Sequence, residues 1–147
     1  MTHADDAFGQ IMKALEDAGL DQNTVIGVSG DNGGEGDGAS NAPLRGAKAT
    51  VYEGGIRSPS FVYAPGQMSS DVASTVSEGL FSETDWFATY YALGGGQASD
   101  LGIDGVDQSG MIMNGDKSAR DEIPLQIDSY LPGMFGAGAM RLVQIPT

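Results

Sequence analysis

Residues 25–34, "VIGVSGDNGG", constrain most how this chain can fold. Val25, Ile26 and Val28 are β-formers, and the run stops at Gly30, where an acid, an amide and two more glycines follow. A short segment that is nearly all apolar suits a buried strand of a parallel or mixed sheet. Beyond it, residues 30–48, "GDNGGEGDGASNAPLRGAK", read as a long glycine-rich loop, and loops of that length are either functional or disordered. Asp31 and Asn32 therefore stand at the carboxyl end of a strand, where open α/β sheets bind ligands.

The flanking segments place this strand in an α/β frame. "THADDAFGQIMKALEDAGL" is an amphipathic helix, with Phe8, Ile11, Met12 and Leu15 on one face, Thr2 and Asp5 as a capping box, and Gly19 as its stop. A second strand is expected at Ser60–Ala64 between Pro59 and Pro65, then a polar stretch over 66–80. "SETDWFATYYALGGG" is a second helix, capped by Ser82, with Asp85 in its first turn and the glycines at 94–96 ending it. Its Trp86, Phe87, Tyr90 and Tyr91 are expected in the core. A turn-rich connection follows, and "RDEIPLQID" and "GAMRLVQIP" read as two short strands.

Composition removes whole classes of function. With 147 residues the chain can bury a core, and its 23 glycines are scattered rather than periodic, which excludes a collagen-like structure. The absence of cysteine excludes disulfides, thiolate metal sites and cysteine nucleophiles. A net charge of −13 makes nucleic acid a poor partner, and no apolar run is long enough for a membrane span. The first residues read as the start of a helix rather than a signal segment, so the chain is expected to begin inside something larger.

Asp31-Asn32-Gly33 can be read in two ways. It is a favoured turn sequence on backbone grounds alone. It also offers one charged and one neutral oxygen, which suits a hard cation, on a rigid strand end. Downstream, three of only seven basic residues, Arg45, Lys48 and Arg57, cluster between positions 45 and 57, with glycines at 46, 54 and 55. A cation next to a small basic cluster is how sites for sulfate or phosphate groups are built. For Arg57 the structural reading, pairing with Glu53 or Asp31, is preferred.

"TVIGVSGDNGG…NAPLRGAKATVYEGGIRSPSFVYAPG…FSETDWFATYYALGGG" resembles the sulfatase family of the alkaline-phosphatase superfamily, most closely its arylsulfatase B-like branch. "DNGG", "N-x-P-L-R-G-x-K" and "E-G-G-I-R-x-P" are each weak alone but specific in this order and spacing. The likeness continues through "IDGVDQSGMIMNG", "SARDEIPLQID" and "AMRLVQI". It implies that Asp31 and Asn32 match the pair that helps bind the active-site calcium (magnesium in some members). Lys48 then matches the lysine that contacts the substrate sulfate, while Arg45, Glu53 and Arg57 match scaffolding positions. The implied fold is α/β, a partial mixed β-sheet flanked by helices, with the start of a small C-terminal antiparallel sheet. Residues 1–119 would be the C-terminal part of the catalytic domain and residues 120–147 the beginning of the small subdomain. The implied chemistry is sulfuric ester hydrolysis: a formylglycine hydrate attacks sulfur, calcium and Lys48 neutralise the sulfate oxygens, and the alcohol leaves. A sulfated glycan or aryl sulfate is the implied substrate, and an exported, periplasmic or lysosomal location follows by analogy.

The sequence also departs from that family. A formylglycine needs a "C/S-x-P-S/A-R" motif, and the nearest text, "RSPSF" at 57–61, lacks the spacing and the final arginine. The family's paired N-terminal aspartates and active-site histidines have no counterpart: Asp5-Asp6 read as helix-start acids and His3 as a solvated surface group. No catalytic residue is therefore assigned, and the formylglycine is expected in a missing N-terminal part. Two oxygen donors fall short of the roughly 6–8 that calcium takes. Alone, the chain is expected to hold metal weakly, to lack activity, and to leave helix faces and sheet edges for a partner chain carrying the missing half. The alternatives are a non-catalytic module that binds anions or calcium or only packs against a partner, and a phosphatase-type member of the same superfamily.

Overall fold

The computed structural model of the chain describes residues 2–126 and 141–144. In chain order the elements are α1 (Thr2–Asp17), β1 (Ile26–Ser29), α2 (Glu53–Ile56), β2 (Ser60–Tyr63), α3 (Asp85–Leu93), α4 (Ser109–Asn114), β3 (Glu122–Gln126) and β4 (Arg141–Gln144), with short 3-10 turns at Asp21–Asn23 and Ala98–Leu101. Among the described residues no helix is long and apolar enough to cross a membrane.

Helix α1 stops where glycine permits a left-handed residue. Gly19 has φ +67°, its N–H donates to the Glu16 carbonyl at 2.9 Å, and the Leu20 N–H reaches the Leu15 carbonyl at 2.9 Å. The last turn's carbonyls are thereby satisfied. The expected Thr2–Asp5 capping box does not form: Thr2 already lies inside the helix, and Asp5 sits in the first turn, where its charge complements the helix dipole. No α1 residue is buried. Its apolar stripe touches the sheet through Phe8, which meets Phe61 of β2 edge-on with ring centroids 5.5 Å apart.

Strands β1 and β2 pair antiparallel, with Ile26 opposite Tyr63 and Ser29 opposite Ser60. The carboxyl end of β1 and the amino end of β2 therefore share one edge, and the loop between them must return to its starting point. Strands β3 and β4 form a second antiparallel pair, as expected for the start of a small C-terminal sheet, with a bulge between Pro124 and Gln126. Proline cannot donate to a ladder, so its place beside a bulge is ordinary. A parallel neighbour, which a mixed sheet requires, is not among the described residues.

The apolar core is small and sits on α4, which the sequence pattern did not reveal. Met111, Ile112 and Met113 cluster with Ala64, and Val25, Val62, Met68, Phe81, Trp86 and Leu93 pack against them. Trp86 reaches the sheet because Gly27 has no side chain: a Cβ there would lie 2.5 Å from the indole. Tyr90 stacks on Trp86 with centroids 5.5 Å apart, and its hydroxyl accepts the Gly27 N–H at 2.8 Å. The expectation that all four aromatics of α3 are core is corrected here. Phe87 is 63% exposed, Tyr91 42% and Tyr90 38%, and of the four only Trp86 packs against the core cluster.

Most of the deeply buried volume around α3 is polar. Asp85, Thr89 and Gln108 are at most 1% exposed. The Asp85 carboxylate accepts the Ser82 N–H at 2.9 Å and the Val106 N–H at 2.9 Å. Arg120 closes on it, with Nε 2.9 and 2.8 Å from the two oxygens and Nη2 bonded both to the carboxylate and, at 2.7 Å, to the Asp104 carbonyl. Next to this pair, the Gln108 amide donates to the Leu80 carbonyl and the Ser118 hydroxyl, each at 3.1 Å, and accepts the Ala119 N–H at 3.0 Å. Among the described residues no buried side-chain nitrogen or oxygen lacks a partner.

Burial alone would push the Asp85 carboxyl up. The hydrogen bonds from Arg120, Val106 and Ser82 and the guanidinium charge overcome that and hold it below its ordinary 3.8. Arg120 is raised in turn, chiefly by its hydrogen bond to Asp85. Replacing Arg120 with alanine strands a buried carboxylate and should cost about 3–5 kcal/mol in urea unfolding. Because the folded pKa of Asp85 is depressed, its contribution is complete above about pH 4 and is lost as the pH falls through the folded value. Asp85→Asn should therefore be less stable at neutral pH and show a flatter acid limb below that point. An acid limb identical to that of the unmodified protein would contradict this assignment.

Candidate functional site

Beyond Ser29 the chain leaves β1 but stays tied to β2, because the Gly30 N–H donates to the Pro59 carbonyl at 3.0 Å. Asp31 follows, exposed, with no hydrogen bond or ion pair on its carboxylate among the described residues. Asn32 is half-buried, and its Nδ2 donates to the Gly33 carbonyl at 2.9 Å. That bond fixes the amide, and among the described residues Oδ1 has no hydrogen-bond donor.

The loop is held by backbone meeting backbone. The Gly33 N–H donates to the Gly55 carbonyl at 2.9 Å, and the Gly54 N–H donates to the Arg45 carbonyl at 2.7 Å. A Cβ on Gly33 would overlap the Gly54 carbonyl oxygen. The glycines of "DNGG" and "EGG" are thus required by close approach of two chain segments, and α2 is the turn that presents the second.

The segment carrying Lys48 joins the same cluster. Its backbone N–H donates to the Gly34 carbonyl at 3.2 Å. Asn41 brackets Gly34 from the other side, accepting its N–H and donating to its carbonyl, both at 2.8 Å, and its amide also reaches the Gly46 carbonyl at 3.3 Å. Thr50 closes the turn around Lys48, its hydroxyl donating to the Ala47 carbonyl at 2.8 Å and accepting the Ala47 N–H at 3.2 Å. Ala49 inside that turn has φ +69°, a left-handed conformation that a non-glycine residue rarely adopts.

The three clustered cations have different surroundings. Arg45 lies over the Tyr52 ring, 3.9 Å from its centroid. Arg57 faces Glu53 at 3.7 Å, one of the two acids the structural reading named, and Glu78 at 3.3 Å rather than Asp31. Lys48 is exposed, and among the described residues its ammonium has no ion pair. A free carboxylate, a free amide oxygen and a free ammonium thus lie on one interlocked set of loops. The first two suit a hard cation, and the third suits an anion.

Among the described residues no group of three or more His, Cys, Asp or Glu is arranged to hold a metal. Asp31 and Asn32 fit a calcium site as two of its oxygens, not as its whole shell. His3, Asp5 and Asp6 are exposed on α1. A cavity of about 450 Å³ lined by Val72, Thr75, Met111 and Gly115 includes none of the three candidates. Sequence reading left Asn41 and Thr50 without roles, since amide and hydroxyl side chains in a Gly/Pro loop carry no signal beyond turn preference.

Comparison with known proteins gives a consistent set of likenesses. The family model described as Sulfatase matches residues 1–96. Arylsulfatase J of Mus musculus is 40% identical over 126 residues, covering 84% of this chain and 21% of the relative. Arylsulfatase A of Homo sapiens is 34% identical over 141 residues, covering 93% of this chain and 27% of the relative. The chain thus spans about a quarter or less of the length of these relatives. Among solved structures, the PsFucS1 sulfatase from Pseudoalteromonas sp. superposes with a TM-score of 0.74 at 28% identity, covering 99% of this chain and 33% of that one.

The backbone contacts at Gly33 yield a direct test. Gly33→Ala should abolish slow amide exchange at Gly54 and Lys48, because the overlap with the Gly54 carbonyl cannot be relieved by a rotamer. Gly36→Ala, where nothing lies within 4 Å, should leave both amides protected. Protection in Gly33→Ala equal to that of the unmodified chain would show that the segments are not interlocked.

Proposed function

The chain belongs to the sulfatase family, within the alkaline-phosphatase-like superfamily, and from that premise we propose that it supplies part of the calcium and sulfate site of a sulfuric ester hydrolase. Sulfuric ester hydrolysis is the activity of the family. The reading is supported above all by the three unengaged groups, Asp31 carboxylate, Asn32 Oδ1 and Lys48 ammonium, on loops whose neighbouring cations are already occupied. In this reading residues 1–119 are the C-terminal part of the catalytic domain and residues 120–147 begin the small C-terminal subdomain.

Each side chain then has a defined task. Asp31 offers a charged oxygen to the metal, and Asn32 offers a neutral one whose direction is set by the bond from its Nδ2 to Gly33. When bound, the metal supplies neutralisation of the sulfate oxygens. Lys48 meets the same group as a compact positive charge with three donors, favouring the state in which charge builds on the sulfate as the ester bond breaks. Arg45 and Arg57 support the loops rather than the substrate. In this reading a hydrated formylglycine would supply the nucleophile, and it and the remaining metal ligands would come from outside these 147 residues. The substrate class is a sulfate ester, on a glycan or an aryl group.

In the full-length enzyme, Lys48→Ala should lower kcat/KM toward an aryl sulfate about 10²–10³-fold. Asp31→Ala should weaken calcium binding in calorimetry, while Lys48→Ala leaves it nearly unchanged. The 147-residue chain assayed alone should hydrolyse no aryl sulfate. Turnover by it, or an unaltered kcat/KM in Lys48→Ala, would refute the partial-site reading.

A further inference from the structure

The geometry points to Asn41 as the positioning residue that sets the separation between the cation-binding pair and Lys48, an inference that rests on the reading just given. One carboxamide joins three segments. It accepts the Gly34 N–H and donates to the Gly34 carbonyl, both at 2.8 Å, and donates to the Gly46 carbonyl at 3.3 Å. Gly34 lies two residues past Asn32, and its carbonyl also accepts the Lys48 N–H at 3.2 Å. Gly46 begins the turn that Thr50 closes around Lys48. Every covalent route from Asn32 to Lys48 runs through the long loop, so Asn41 and the bond it shares at Gly34 form the short connection. Only an amide of this length both donates and accepts at Gly34, whereas aspartate would place a negative oxygen against a carbonyl.

The consequence is a coupling between cation and anion sites. If Asn41 is removed, the cation pair and Lys48 no longer hold one spacing, and a sulfate cannot meet both at once. Calcium binding and sulfate binding should then stop reinforcing each other, though both donor sets remain.

The test uses the full-length enzyme. Calorimetry with calcium chloride is run with and without sodium sulfate, and kinetics follow 4-methylumbelliferyl sulfate. Asn41→Ala and Asn41→Ser should each fold, lose the enhancement of calcium affinity by sulfate, and lower kcat/KM at least tenfold. Ser118→Ala serves as the structural control: it removes half-buried hydrogen bonds to Leu80 and Gln108, and should lower Tm with coupling and kcat/KM unchanged. Intact coupling in the Asn41 variants, alongside impaired Asp31→Ala and Lys48→Ala, would overturn the inference and leave the site reading standing. Unimpaired Asp31→Ala and Lys48→Ala would overturn the site reading itself. Loss of folding in both Asn41 variants would make the residue a determinant of stability and would also overturn the inference.

Discussion

The Asp85 carboxylate organises the half of the molecule that follows the second strand. It collects N–H groups from the approach to α3 and from the 104–106 turn, and it draws in Arg120 from the segment ahead of β3. A buried ion pair contributes little to net stability compared with apolar packing, but leaving either partner alone is costly. That asymmetry favours one arrangement over its competitors. With four apolar residues in its buried cluster, this chain relies on such directional contacts to hold α3, α4 and β3 in place.

The other half is organised mainly by its backbone. From Gly33 to Gly55 the chain is fixed by peptide groups bonding across a gap that admits no Cβ, with Asn41 and Thr50 as the two polar pins. Rigid backbone of this kind can hold charged groups at its surface without using them for its own stability. Asp31 and Lys48 are spare in that sense, whereas Arg45 and Arg57 are not. Groups that hold the loops and groups left without partners among the described residues are thus different ones within a short stretch of chain.

Much of the frame was legible in the sequence. Helix α1 declared itself through Phe8, Ile11, Met12 and Leu15 at helical spacing and through Gly19, β1 through its apolar run, and β2 through its bounding prolines. The short helices α2 and α4 were not legible. "EGGI" has the composition of a turn, and "SGMIMN" is too brief for a period to emerge, so tertiary packing rather than propensity decides both. The Asp85–Arg120 pair was hidden because an acid at a helix start already has a local explanation, and nothing in one sequence links it to an arginine 35 positions later. The aromatics of α3 were over-read: Phe87, Tyr90 and Tyr91 share the spacing of core residues yet are exposed, and only Trp86 packs on this core. At the candidate site, the motif text drew attention to Asp31, Asn32 and Lys48, while the bracket made by Asn41 needed coordinates to be seen.

Lys48, without an ion pair among the described residues, stands on a chain of net charge −13, which also affects how an anion would arrive. At long range an approaching anion meets repulsion from the summed acids, and only close to the loop does the single ammonium dominate. Mobile salt shortens the repulsive reach to about 8 Å at physiological ionic strength. Moderate salt should therefore ease the approach of an anion to these loops while leaving a close contact with the ammonium largely intact.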